Sequence, residues 1–213
     1  MTRFLFVRHG FSLSNAKKTF TGQRDVPLSA LGVRQAELAS AYILSHYRPA
    51  ALYASSLCRA AETLSPLAEA LSLPISREDA FREIFGGLWE SMTGEEITAA
   101  YPEDHAIWAE QFAFSRPTGG ESVLEVQERA LSRVLEIAHA HEGETVAVAT
   151  HAVVLRALEC AWLGLPPSEM QGLGWIPNAS ISEVGCEGGR LFPIRTRITE
   201  HLGEALTNLP KNI

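Results

Sequence analysis

Two short apolar runs, Phe4-Leu5-Phe6-Val7 and Val146-Ala147-Val148-Ala149, each lead straight into an imidazole, His9 after Arg8 and His151 after Thr150. A run this short, rich in aromatic and aliphatic side chains and free of polar interruption, is the pattern of a strand covered on both faces. Such strands belong to parallel sheets with helices above and below. Between the runs the chain switches to helical spacing. Ser29 has the chemistry of an N-cap, with Leu31, Gln35, Leu38, Ala39, Tyr42 and Ile43 following along one face. Leu52-Tyr53-Ala54 reads as a further strand, Ser56 as the cap of a helix over about 57–71, and a helix over about 152–163 follows the second imidazole. Residues 93–110 and 121–141 carry helical patterns, separated by Pro117-Thr118-Gly119-Gly120. Segments 179–185 and 190–198, joined by Glu187-Gly188-Gly189, read as a hairpin. The alternation predicts an α/β fold, a three-layer α/β/α sandwich with a mostly parallel central sheet.

Apolar residues make up 46% of the 213-residue chain, enough for a sizeable core. No linker, repeat or low-complexity tract divides it. A single domain over residues 1–213 is therefore expected, with residues 85–120 forming a small helical cap over one end of the sheet.

Charge and cysteine content narrow the partners. Eighteen Lys and Arg against 25 Asp and Glu give −7, which argues against a general nucleic-acid binder. An anionic small substrate stays open, because a few cations focused in a cleft outweigh a distant negative surface. The three cysteines are an odd number without a CxxC pair, so neither a disulfide framework nor a cysteine zinc site is expected, and a reducing cytoplasm fits best. The opening apolar run is too short for a signal-peptide core, and Arg156 and Glu159 interrupt the longest apolar stretch of the C-terminal half. No membrane association is expected. Oligomeric state is not legible, and a homodimer stays open.

In open parallel sheets, ligands bind beyond the carboxyl ends of the strands. Arg8, His9, Arg59 and His151 each fall just past such an end. Taken alone, Arg8-His9-Gly10 is unspecific, because a strand-end histidine is more often structural. Its neighbours change the reading. Ser55-Ser56-Leu57-Cys58-Arg59 places a second guanidinium at a helix start, where free N–H groups already favour an anion. Thr150-His151-Ala152 supplies a second imidazole in the same context. Glu83, in Phe81-Arg82-Glu83-Ile84-Phe85-Gly86-Gly87, is a carboxyl among apolar residues and glycines, a setting that raises a pKa and suits a proton donor.

These segments together resemble the histidine phosphatase, or phosphoglycerate mutase-like, superfamily. The resemblance runs from Phe4 to about Ser182 with the segments in the family's order: Arg8-His9-Gly10, Asn15, Thr21-Gly22-Gln23-Arg24-Asp25-Val26-Pro27-Leu28-Ser29, Ser55 to Ala60, Arg82 to Glu90, Gly119-Gly120-Glu121-Ser122, Thr150-His151 and Asn178-Ala179-Ser180. It implies metal-independent removal of phosphate from a small phosphorylated metabolite through a phosphohistidine. His9 would be the nucleophile; Arg8, Arg59 and a protonated His151 would hold the phosphoryl oxygens. Glu83 would be the proton donor, with Glu90 as its rival. Asn15, Ser12, Thr21, Gly22 and Ala152 would bind substrate. No metal and no cofactor are implied.

Two positions depart from the family pattern. Phe11 follows Arg8-His9-Gly10 where Glu or Gln is usual, and is expected to place a ring at the pocket mouth. Ala152 replaces the usual glycine after the second histidine. A cofactor-dependent mutase is the alternative, disfavoured by the short stretch between Glu83 and His151 and by the single arginine, Arg116, between Ala99 and Gly120. A non-catalytic phospho-ligand binder and a metal-dependent hydrolase using His9, His151 and Glu83 are further alternatives.

Overall fold

The computed structural model describes residues 1–207, so the last six residues of the expected 1–213 domain lie outside the described residues. Six strands form one sheet: β1 (Thr2–Arg8), β2 (Ala51–Ser55), β3 (Ile75–Glu78), β4 (Thr145–Thr150), β5 (Ile181–Glu187) and β6 (Arg190–Ile198), in the order β3-β2-β4-β1-β5-β6. The pairs β3–β2, β2–β4 and β4–β1 are parallel; β5 runs antiparallel to β1, and β6 antiparallel to β5. The sheet is mostly parallel and flanked by helices.

Alternation along β1 divides its side chains between two layers, as the two-residue period of a strand requires. Leu5 and Val7 join Ala39 and Ile43 of α2 (Ala30–His46) and Ala60, Leu64 and Leu67 of α3 (Cys58–Leu71). Phe4 and Phe6 face the other layer, with Val126, Val134 and Ile137 of α6 (Val123–Ala140) and Val154 and Leu158 of α7 (Ala152–Trp162). All four side chains of this run are fully buried, so truncating Phe6 to Ala would cost about 3–5 kcal/mol.

Several local expectations change. The helical pattern over 93–110 breaks into α4 (Gly94–Ala100) and α5 (Pro102–Glu110), because Pro102 excludes the preceding residue from helical geometry; Tyr101 sits at φ −135°, ψ 57°. Leu31, expected on the inner face of α2, is exposed, and the buried stripe starts at Gly32. A Cβ at Gly32 would stand 2.2 Å from the carbonyl oxygen of Phe11, so a larger residue would push α2 away from the loop after β1. Ser56 does not cap α3. The cap position is Leu57, and Asp25 Oδ1 accepts the Cys58 N–H at 2.7 Å, while Ser56 donates to Asp79. The hairpin begins two residues later than expected, at Ile181. Two short elements carried no sequence expectation, the edge strand β3 and α1 (Leu13–Lys17). Among the described residues no helix is long and apolar enough to cross a membrane.

Candidate active site

Parallel register positions the two imidazoles. Arg8 pairs with Thr150 across β1 and β4, so the next residues, His9 and His151, leave the sheet side by side. The His9 N–H donates to Thr150 O at 2.9 Å, and the ring centroids lie 5.1 Å apart. Backbone clamps hold the turn that follows. Gly10 N–H donates to Thr63 Oγ1 at 2.9 Å, and Asn178 Nδ2 donates to His9 O at 2.9 Å. A Cβ at Gly10 would come within 2.5 Å of Gly32 O, so the close approach of this turn to α2 requires glycine.

The His9 ring has one assigned tautomer. Nδ1 lies 2.7 Å from Gly10 O, and a carbonyl can only accept, so Nδ1 carries the proton and Nε2 keeps its lone pair. Burial, then Arg59 and Arg8, hold the pKa of His9 well below its ordinary value. At neutral pH the ring is an uncharged nucleophile that needs no base.

Two guanidinium groups stand at its side. Arg59 enters from the first turn of α3 and is fixed by Arg24 O at 2.8 Å and Gly22 O at 2.9 Å. Arg8 is fixed by Ile176 O. Both are buried, both line the cavity, and the Nε of each has no partner. His151 is fully buried against His9, and neither of its ring nitrogens has a partner. One of those nitrogens must carry a hydrogen, so the ring keeps an unsatisfied donor, a state costing about 1–3 kcal/mol. Burial, then Arg59, His9, Arg129 and Arg8, keep His151 uncharged. That revises the expected protonated imidazole: before an anion arrives, His151 is a neutral donor. A bound dianion would reverse the surrounding field and favour its charged form.

Glu83 also lines the cavity, 9% exposed. Burial raises its pKa, against the opposing pull of the Ile84 N–H and of Arg59 and Arg8. Its Oε1 accepts from Ile84 N at 3.0 Å and its Oε2 from Val153 N at 3.4 Å. The rival acid Glu90 is spent on backbone, accepting from Gln23 N at 2.7 Å and Gly86 N at 3.2 Å, and does not line the cavity.

The cavity, about 70 Å³, is lined by Arg8, His9, Asn15, Thr21, Gly22, Arg59, Glu83 and Ala152 from the sequence reading. Asn15 keeps its Oδ1 occupied by the Ser12 N–H and hydroxyl and by Asn178 Nδ2, which leaves its NH₂ for a ligand. Ser12 is elsewhere. Its buried hydroxyl caps α1 and orients Asn15 rather than lining the cavity. Phe11 is also absent from the wall; its backbone serves Gln35 Oε1 and Ser29 instead, which corrects the expectation of a ring at the mouth. Thr19, Phe20, Ile84, Trp108, Val153 and Trp175 complete the wall. None of these six was assigned a ligand contact from the sequence. Among the described residues no group of three or more His, Cys, Asp or Glu side chains is arranged to hold a metal ion.

Known proteins carry the same architecture. The sequence model of the histidine phosphatase superfamily (branch 1) matches residues 4–198. Phosphoserine phosphatase 1 of Hydrogenobacter thermophilus is 36% identical over 213 residues, covering all of both chains. Glucosyl-3-phosphoglycerate phosphatase of Mycolicibacterium vanbaalenii is 34% identical over 185 residues, 84% of this chain and 81% of that protein. A solved mycobacterial glucosyl-3-phosphoglycerate phosphatase in complex with VO3 superposes with a TM-score of 0.84 at 29% identity, covering 92% of this chain and 99% of that one. By sequence match and by fold, this chain belongs to the histidine phosphatase superfamily.

Proposed function

We propose that the chain, one domain of residues 1–213 with residues 85–120 as its cap, hydrolyses a small phosphomonoester through a phosphohistidine on His9. One observation carries the reading: an imidazole with a free Nε2 is surrounded by Arg8, Arg59 and His151, each with a buried nitrogen that has no partner. An oxyanion beside His9 would meet Arg8 and Arg59, which line the cavity; His151 does not line it and stands against the His9 ring, a step further from such a ligand.

The steps follow from these atoms. Nε2 of His9 forms a bond to phosphorus as the ester P–O bond breaks, and the leaving oxygen takes the proton of Glu83. Because Nδ1 keeps its hydrogen on Gly10 O, the phosphorylated ring is cationic and a good leaving group. Glu83, now a carboxylate, accepts a proton from water as the water oxygen attacks phosphorus. The N–P bond then breaks, releasing phosphate and restoring neutral His9. Arg8 and Arg59 supply fixed charge for the transition state, and Asn15 a further donor.

Phosphoserine and glucosyl-3-phosphoglycerate, named for the relatives, head the substrate panel. The mutase alternative needs a second anion grip, and the only cations lining the cavity among the described residues are Arg8 and Arg59. All three cysteines are free, which supports a reducing, cytoplasmic setting. The test is phosphate release across a panel of phosphorylated metabolites, with H9A as the blank. Release by the parent and none by H9A is expected; equal release by both contradicts the reading.

A further inference from the structure

The segment carrying Glu83 has no regular structure between Phe81 and Gly87, so no ladder satisfies its backbone. Side chains from elsewhere do so. Arg129 of α6 donates from Nη1 to Ala80 O at 2.7 Å and from Nη2 to Arg82 O at 2.7 Å and Glu83 O at 3.3 Å. The same guanidinium pairs side-on with Glu121, Nε to Oε1 at 2.7 Å and Nη2 to Oε2 at 2.9 Å. Glu121 in turn grips the far side of the loop. Its Oε2 accepts the Phe85 N–H at 3.3 Å, and its own N–H donates to Phe85 O at 2.9 Å. Neither residue lines the cavity.

We propose that Arg129, oriented by Glu121, is a positioning residue for Glu83: the pair fixes the backbone from residue 80 to residue 85 so that the carboxyl stands at the leaving-group oxygen. The inference rests on Glu83 being the proton donor. Only a planar fork can serve several carbonyls and a bidentate carboxylate together, so lysine at 129 keeps the charge and loses the arrangement. A displacement of about 1 Å in a group that must meet a reacting oxygen costs on the order of 100-fold in rate. The loss falls on the step that needs the proton. An alkyl phosphate, with a poor leaving group, depends on it; p-nitrophenyl phosphate, whose leaving group departs unprotonated, does not.

The experiment measures kcat/KM for glycerol 2-phosphate and p-nitrophenyl phosphate in the parent, R129M, R129K, E83Q and R129M/E83Q, with inhibition by inorganic phosphate as a check on the cation site. R129M is expected to lose roughly 10- to 100-fold on glycerol 2-phosphate and less than about threefold on the aryl ester, with phosphate inhibition unchanged. R129K should show the same split at smaller size, and decides the question should R129M not fold. In the E83Q background R129M adds no further loss, because the group it positions is already disabled. Equal losses on both esters, or a further full loss in the E83Q background, overturns the proposal. Failure of E83Q itself to split the two esters would instead overturn Glu83 as the donor.

Discussion

The rings of His9 and His151 lie 5.1 Å apart at 57° to one another, and only the His9 ring has a hydrogen-bond partner. The pairing of Arg8 with Thr150 sets this relationship, so the strand register itself builds the site. It leaves donors on His151, Arg8 and Arg59 that nothing in the described chain satisfies.

Those donors predict strong stabilisation by an anion. Inorganic phosphate at 100 times its Kd should add about 2.7 kcal/mol, a rise in Tm of roughly 5–10 °C for a chain of this size. R59M is expected to lose most of that increment. The comparison is the difference in Tm with and without phosphate, because Arg59 also holds Arg24 O and Gly22 O in the free protein. An undiminished increment in R59M contradicts the assignment.

Activity should depend on pH in two separable ways. His9 attacks only when neutral, and its pKa is depressed, so the acid limb of kcat/KM falls well below pH 6.5. Glu83 donates only when protonated, and its pKa is raised, so activity on alkyl phosphates falls as pH climbs through that raised value. The alkaline limb should vanish for an aryl phosphate. An alkaline limb of equal size on both substrates would contradict the role of Glu83.

The same imidazoles affect stability. A depressed folded pKa means that protonation is resisted in the folded state, so the contribution is complete above the unfolded value near 6.5 and is lost as pH falls below it. Thermal unfolding between pH 7 and pH 5 should show a falling Tm. H151N, which removes one titrating ring, should flatten the slope.

Gly22 sits at φ +53°, where a Cβ would meet Glu90 Oε1 at 2.2 Å. G22A should therefore be destabilised by about 1–3 kcal/mol and lose activity, because Glu90 organises both the Gln23 and Gly86 amides. Urea unfolding together with kcat/KM checks this; a variant with parental values for both contradicts it.

The two central strands and both imidazoles were legible because β1 and β4 are apolar runs that lead directly into His9 and His151. Arg59 was legible from its place at a helix start. The elements missed are short: α1 has five residues and β3 four, too few to show a period. The cavity wall was mostly hidden for another reason. Phe20, Ile84, Val153 and Trp175 come from separate loops and helices, so their meeting is a tertiary event without a local pattern. Ser12 and Phe11 mark the converse limit: Ser12 was expected to bind substrate and the Phe11 ring to stand at the pocket mouth, while the fold uses the Ser12 hydroxyl as a cap and the Phe11 backbone in a turn.

The most direct measurement is quenching of turnover with a ³²P-labelled phosphomonoester, followed by mapping of the label. One acid-labile, alkali-stable phosphoryl group per chain is expected on His9, absent in H9A and accumulating in E83Q with an aryl ester. Label on His151, or turnover by the parent with no covalent label under conditions where E83Q accumulates none, would contradict this.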